Sequence, residues 1–169
     1  MSGPLDPVPL LGALASAGVE HVVIGGFAVI AHGVVRVTTD LDICPAPDRG
    51  NLARLAECLS ALAVEQVGAN DFGEDEMPFD PRRADDLAQG GNFRLRSSLG
   101  ALDIMQSVAG VEGEHAYPAL ITSAIDADVA GTAVRICSLH QLRAMKRAAG
   151  RPQDLQDLAD LAIAHGDDE

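Results

Sequence analysis

Tryptophan is absent from this chain, and aromatic residues make up only 3% of its 169 residues. A core built on stacked rings is therefore excluded, and the interior has to be assembled from Ala, Val, Leu and Ile. The 47% hydrophobic content supplies enough of these for a real core and too many for wholesale disorder. Cysteine is scarce too: Cys44, Cys58 and Cys137 stand far apart and form no C-x-x-C pair. An odd, sparse set without an N-terminal signal peptide reads as reduced thiols in a cytoplasmic protein. The five histidines are scattered with no H-x-x-x-H pair, which leaves a zinc site of the usual spacing without support. Cations are few: 12 Lys+Arg stand against 25 Asp+Glu, a formal charge of −13. Long duplex nucleic acid is therefore not an expected partner, because neutralising many phosphates needs clustered cations, although a local contact to a nucleotide or an RNA end stays open. Long apolar runs are also missing. The stretch from Val22 to Val35 is broken by Gly25, Gly26, His32 and Gly33 and falls short of the roughly 18 apolar residues of a membrane span, so no membrane partner is expected.

The length fits one domain. Leu10 to Ala17 reads as a short helix stopped by Gly18, and Val19 to Ile24 as a strand. Gly25-Gly26 breaks that strand before a short helix from Phe27 to Ala31, and β patterning returns from Val34 to Ile43. Asp48 or Asn51 can cap a helix whose Leu52, Leu55, Leu59 and Leu62 form an apolar stripe. Val64 to Val67 is a further candidate strand, followed by a long irregular acidic stretch from Ala69 to Gly91. Phe93 to Arg96 and Ala101 to Val108 read as a hairpin, and Ile125 to Val129 with Thr132 to Ile136 as a second one turning at Ala130-Gly131. Ser138 and Gln141 make a capping-box pattern for a helix to Ala149, and Gln153 to Ala164 is a final helix. The sum is an α+β chain: a mixed sheet with helices packed on it over residues 1–137, and a short helical segment over 138–169 packed on the same domain.

The chemistry concentrates between Gly25 and Ile43. Side chains alternate along a strand, so Asp40 and Asp42 project from one face while Leu41 and Ile43 point to the other. Two adjacent carboxylates repel unless a cation lies between them, and hard oxygen ligands suit Mg²⁺, with Mn²⁺ a possible substitute. Gly25-Gly26 at a strand-to-helix turn lets backbone N–H groups approach a phosphate. Each part also has a plain structural reading. A G-G pair is commonly a turn, D-x-D on a strand can keep an edge soluble, and His32 reads as a packed or capping residue rather than a ligand.

Taken whole, the stretch resembles the active-site signature of the nucleotidyltransferase superfamily related to DNA polymerase beta. It is most similar to the small bacterial members grouped with abortive-infection toxins, whose G-G…R-x-T-x-D-x-D corresponds here to Gly25, Gly26, Arg36, Thr38, Asp40 and Asp42. The resemblance implies a nucleotidyltransferase-like sheet in which Asp40, Asp42 and a third carboxylate hold two Mg²⁺ ions. Asp103, among apolar residues on the second arm of the first hairpin, is the candidate for the third; otherwise it is a solvent-facing strand residue. The C-terminal segment resembles the K-x-x-x-x-R…D-L-x-D-L ending of the same group through Lys146, Arg151, Asp154 and Asp157, with Lys146 reaching nucleotide phosphates and the aspartates orienting it. The competing reading of those charges is a solvated helix face.

The expected function is a metal-dependent enzyme that moves a nucleoside monophosphate from an NTP such as ATP to an acceptor hydroxyl. The acceptor is an RNA end, a protein or a small molecule such as an aminoglycoside, and the protein is a candidate toxin–antitoxin component. Asp40, Asp42 and Asp103 are the expected catalytic and metal-holding residues, and Gly25, Gly26, Arg36, Thr38 and Lys146 the nucleotide-binding ones. The alternative is a non-catalytic protein of the same fold that binds a cognate protein partner. A metal-dependent phosphohydrolase is a third option, for which no water-activating residue stands out.

Overall fold

The computed structural model describes residues 3–67 and 79–167. Over these residues the chain is α+β: a seven-stranded mixed sheet carrying seven helices. In chain order the elements are α1 (Val8–Ser16), β1 (His21–Ile24), α2 (Gly25–Ala31), β2 (Asp40–Pro45), α3 (Arg49–Ala61), β3 (Glu65–Gln66), α4 (Ala84–Ala88), β4 (Asn92–Ser97), β5 (Gly100–Met105), α5 (Tyr117–Ile121), β6 (Ile125–Val129), β7 (Thr132–Ile136), α6 (Leu139–Ala149) and α7 (Pro152–His165). The strands lie in the order β3-β4-β5-β2-β1-β7-β6. β2 pairs parallel with β5 and β1 parallel with β7, while the other neighbours are antiparallel.

Aliphatic side chains fill the interior, as the shortage of aromatics requires. Leu10, Leu11 and Leu14 of α1, Leu52, Leu55 and Leu59 of α3, and Leu41, Ile43, Leu102 and Ile104 of the central strands are all buried, joined by Phe93. Each such aliphatic side chain taken out of water contributes about 1.5–3 kcal/mol. The entry to α3 is fixed by two polar residues. Asp48 caps it by accepting from Asn51 N, and the buried Asn51 amide donates to Glu20 O and Ala46 O while accepting from Glu20 N. Asn51 thus ties the helix to the chain on either side of the β1–β2 pair, with its amide satisfied inside the core.

Three sequence expectations need correction. The strand read from Val34 to Ile43 is shorter and later, Asp40–Pro45. Its ladder partners begin only there: β5 meets β2 from Asp40↔Ala101 onward, and β1 reaches no further than Ile24↔Asp42. Without a neighbour, residues 34–39 run as a loop, with Val35 fully exposed and Val37 largely so. Secondly, α4 lies inside the stretch read as irregular, and α5 was not foreseen. The acidic residues Asp71, Glu74, Asp75 and Glu76 fall outside the described residues. Thirdly, only half of the capping box at Ser138 forms. Ser138 Oγ accepts from Gln141 N, but the Gln141 amide donates to Ala119 O and fastens α5 to α6 instead. Both hairpins form, the first with its second arm ending at Met105 rather than Val108, and no helix among the described residues is long and apolar enough to cross a membrane.

Candidate functional site

The central strands bring three aspartates together. Parallel pairing sets Asp42 directly beside Asp103, and directly paired residues project from the same face. Asp40, two residues earlier on β2, shares that face. One carboxylate oxygen from each of Asp40, Asp42 and Asp103 lies within 4.8 Å of the other two. Burial raises the Asp42 carboxyl first, and the charges of Asp40 and Asp103 with a hydrogen bond to Asp103 raise it further, to about 8, against the opposing pull of Lys146. Asp103 is pushed up to about 6, again by burial first and then by Asp40, while Asp42 and Arg94 act the other way. This is the behaviour of a carboxylate group short of positive charge.

Glycine makes room for the cluster. α2 starts at Gly25, whose φ is +71°, and a Cβ built there would lie 1.9 Å from Asp42 Oδ2. At Gly26 a Cβ would lie 2.9 Å from Thr38 Oγ1 and 3.2 Å from the Arg36 guanidinium. Thr38 Oγ1 in turn donates to Asp40 O, which steadies the chain where β2 begins. The six residues of the G-G…R-x-T-x-D-x-D pattern therefore form one packed unit. His32 sits outside it, at the C-terminus of α2, where its Nε2–H donates to Cys137 O at 2.8 Å.

Lys146 is buried on α6. Its ammonium meets Asp154 at 3.2 Å and Asp157 at 2.8 Å, both on α7 and both buried. Asp157 also takes two hydrogen bonds from the Arg36 guanidinium, at 2.6 and 2.7 Å, and one from Gln153. Asp154 takes the Arg151 guanidinium and the Arg151 backbone N–H. Burial tends to raise Asp154, but the hydrogen bonds from Arg151 and Lys146 outweigh it and hold its carboxyl below the ordinary value. The solvated-face reading is overturned for Lys146, Asp154 and Asp157, which are buried against one another, whereas Arg151 caps Asp154 from a largely exposed position.

The aspartate cluster and the Lys146, Arg36, Arg151 and Asp154 side chains border one cleft of about 770 Å³. The three aspartates, Gly25, Gly26, Arg36, Thr38 and Lys146 line it, as do Arg151 and Asp154. Apolar side chains form another part of its wall, Met105 and Val108 together with Leu142 and Met145 of α6. Arg94 also lines the cleft and was missed in the sequence. Its signal was present: counting back from a two-residue turn at Ser98-Leu99 places Arg94 directly across from Asp103, which is the register observed. No protein-family model matches this chain, and no curated protein matches it either.

Proposed function

We propose that the chain is a divalent-metal-dependent nucleotidyltransferase that moves a nucleoside monophosphate from an NTP to an acceptor hydroxyl. The observation that carries this reading is the convergence of Asp40, Asp42 and Asp103 within 4.8 Å in a cleft that also holds Arg36, Lys146 and Arg151. Three half-buried carboxylates with upward-shifted members fit hard divalent cations, since a cation among them relieves the mutual repulsion. Asp40, Asp42 and Asp103 would hold the two Mg²⁺ ions (or Mn²⁺). When bound, such ions neutralise triphosphate charge and polarise the attacking and leaving oxygens. Lys146 and Arg36 present positive charge already oriented by Asp157, and Arg151 is oriented by Asp154, so no ordering cost falls on the moment of reaction. Gly25 and Gly26, lacking a Cβ, let Asp42 and Thr38 stand against the start of α2 and so keep the carboxylates at the cleft. In the transfer, the acceptor oxygen bonds to the α-phosphorus and the bond from that phosphorus to the β-phosphate bridging oxygen breaks. Pyrophosphate leaves, and the hydroxyl proton passes to an Asp103 carboxylate oxygen.

The test is calorimetry of NTP with Mg²⁺ on wild type and Asp42→Asn, alongside pyrophosphate release in the presence of candidate acceptors. Wild type is expected to bind NTP only with the divalent ion, and Asp42→Asn to bind at least tenfold more weakly while remaining folded. Equal Mg²⁺-dependent affinity in the two proteins would sink the assignment.

A further inference from the structure

The cations around the cleft fall into two kinds. Arg36, Lys146 and Arg151 are each held by a buried aspartate of α7. Arg94 of β4, which lines the cleft, is not held in this way, and neither is Arg96, which lies outside the cleft lining and across from Glu65 of β3: among the described residues, neither guanidinium makes a hydrogen bond or an ion pair. Their placement follows from the strand. Phe93 and Leu95 are buried, so Arg94 and Arg96 share the opposite, exposed face, about 7 Å apart along the strand. Register puts that face in line with the aspartates. Asp42 pairs with Asp103 and Asp103 with Arg94, so one row across β2, β5 and β4 reads Asp42, Asp103, Arg94. Neighbouring strands are roughly 5 Å apart, which sets the Arg94 backbone one strand beyond Asp103, on the side away from β2.

We infer that Arg94, with Arg96 beside it, binds a phosphate group of the acceptor, so that the acceptor is a phosphate-bearing molecule: a nucleotide or the terminal nucleotides of an RNA. This rests on the nucleotidyltransferase reading of the aspartate cluster. In that reading Asp103 receives the proton of the attacking hydroxyl, so whatever lies just past Asp103 meets the rest of the acceptor. A guanidinium offers a planar fork of N–H donors that takes phosphate oxygens two at a time, and one not engaged by a carboxylate offers that fork without first breaking an ion pair. Arg94 in the cleft reaches one phosphate, and Arg96, with Glu65 across from it, adds at most a second at the cleft's edge. That scale agrees with a chain of net charge −13, which has no cations to spare for an extended backbone. The same two charges oppose a polycationic acceptor such as an aminoglycoside, because a like charge beside Asp103 would be pushed away.

The experiment measures two ligands on wild type, Arg94→Gln and Arg94→Gln/Arg96→Gln. One ligand is a fluorescein-labelled hexaribonucleotide followed by anisotropy, with unlabelled AMP as competitor. The other is ATP with Mg²⁺ followed by calorimetry. The proposal expects Arg94→Gln to weaken the hexaribonucleotide about tenfold and the double variant more, with ATP affinity within twofold of wild type and unchanged thermal midpoints. Competition by AMP would identify a single nucleotide as sufficient, and resistance to AMP would identify the RNA end; both outcomes support a phosphate-bearing acceptor. Hexaribonucleotide binding that is absent in wild type, or equal in all three proteins, overturns the inference even if ATP binds normally. So would tighter binding of the aminoglycoside kanamycin than of the hexaribonucleotide. Failure of ATP, GTP, CTP and UTP alike to bind wild type with Mg²⁺ instead removes the nucleotidyltransferase reading itself, and this inference with it.

Discussion

Asp154 and Asp157 on α7 and the Asp40, Asp42 and Asp103 group on β2 and β5 are built from the same side chain, and electrostatics treats them in opposite ways. The α7 pair is buried, and its four carboxylate oxygens meet Lys146, Arg36 and Arg151. The strand group has three carboxylates against one another, with Lys146 and Arg94 acting from further off, and its members Asp42 and Asp103 are raised. The difference separates a fastening from a socket. Charges compensated within the chain hold helices to a sheet, whereas charges left uncompensated at fixed spacing weaken the fold until a cation arrives from outside.

The largest expected effect comes from dismantling the fastening. Asp157→Asn leaves Lys146 and Arg36 sharing no carboxylate in a buried setting, and breaking a buried ion pair from one side costs about 3–5 kcal/mol. Urea unfolding should show that loss, while Asp42→Asn under the same conditions without divalent ions should show none. A tolerated Asp157→Asn would mean that the α7 pair is as dispensable to the fold as the strand group. A smaller effect is expected at the contact that shapes the socket. Gly25→Ala puts a methyl where Asp42 Oδ2 stands and forces φ +71° on a side-chain-bearing residue, at a cost of about 1–3 kcal/mol. The displaced carboxylate should also weaken Mg²⁺-dependent NTP binding, which calorimetry would read directly. An unchanged affinity would show that Asp42 has room to move aside.

The finest distinction is a pH dependence of opposite sign. A carboxyl raised in the folded protein, as Asp42 is to about 8 from 3.8, binds protons more tightly folded than unfolded. Stability is then lost as pH rises between about 4 and 8. Asp154 is lowered, so its contribution is present above its unfolded value of 3.8 and is lost as pH falls through the folded one. Thermal midpoints without divalent ions should therefore fall from pH 5 to pH 8, and Asp42→Asn or saturating Mg²⁺ should flatten that slope. A midpoint rising steadily to pH 8 without any divalent ion would place the net repulsion elsewhere.

Much of this is legible in the amino-acid sequence alone. The two hairpins, the Asp48 cap, the helix from Ser138 and the same-face placement of Asp40 and Asp42 follow from local rules. Those rules are alternation along a strand, turn residues and the hydrogen-bonding needs of a helix end, and they act within a few residues. The early start assigned to β2 shows their limit. Val35, Arg36, Val37 and Thr38 alternate as a strand should, but alternation says nothing about whether a neighbouring strand exists to pair with.

By itself, then, the sequence determined most of the elements, though not α4, α5 or the start of β2, together with the α+β class and the aspartate row of β2, because each depends on spacing along a few residues. Tertiary structure alone decided that Asp103 stands beside Asp42, since parallel pairing of β2 and β5 joins segments some sixty residues apart. It decided equally that Lys146 is buried and fastened rather than solvated. A lysine at the edge of an apolar helix face can turn either way, and the choice is made by carboxylates on the next helix, Asp154 and Asp157. Their own burial is tolerable only because Lys146, Arg36 and Arg151 come to meet them.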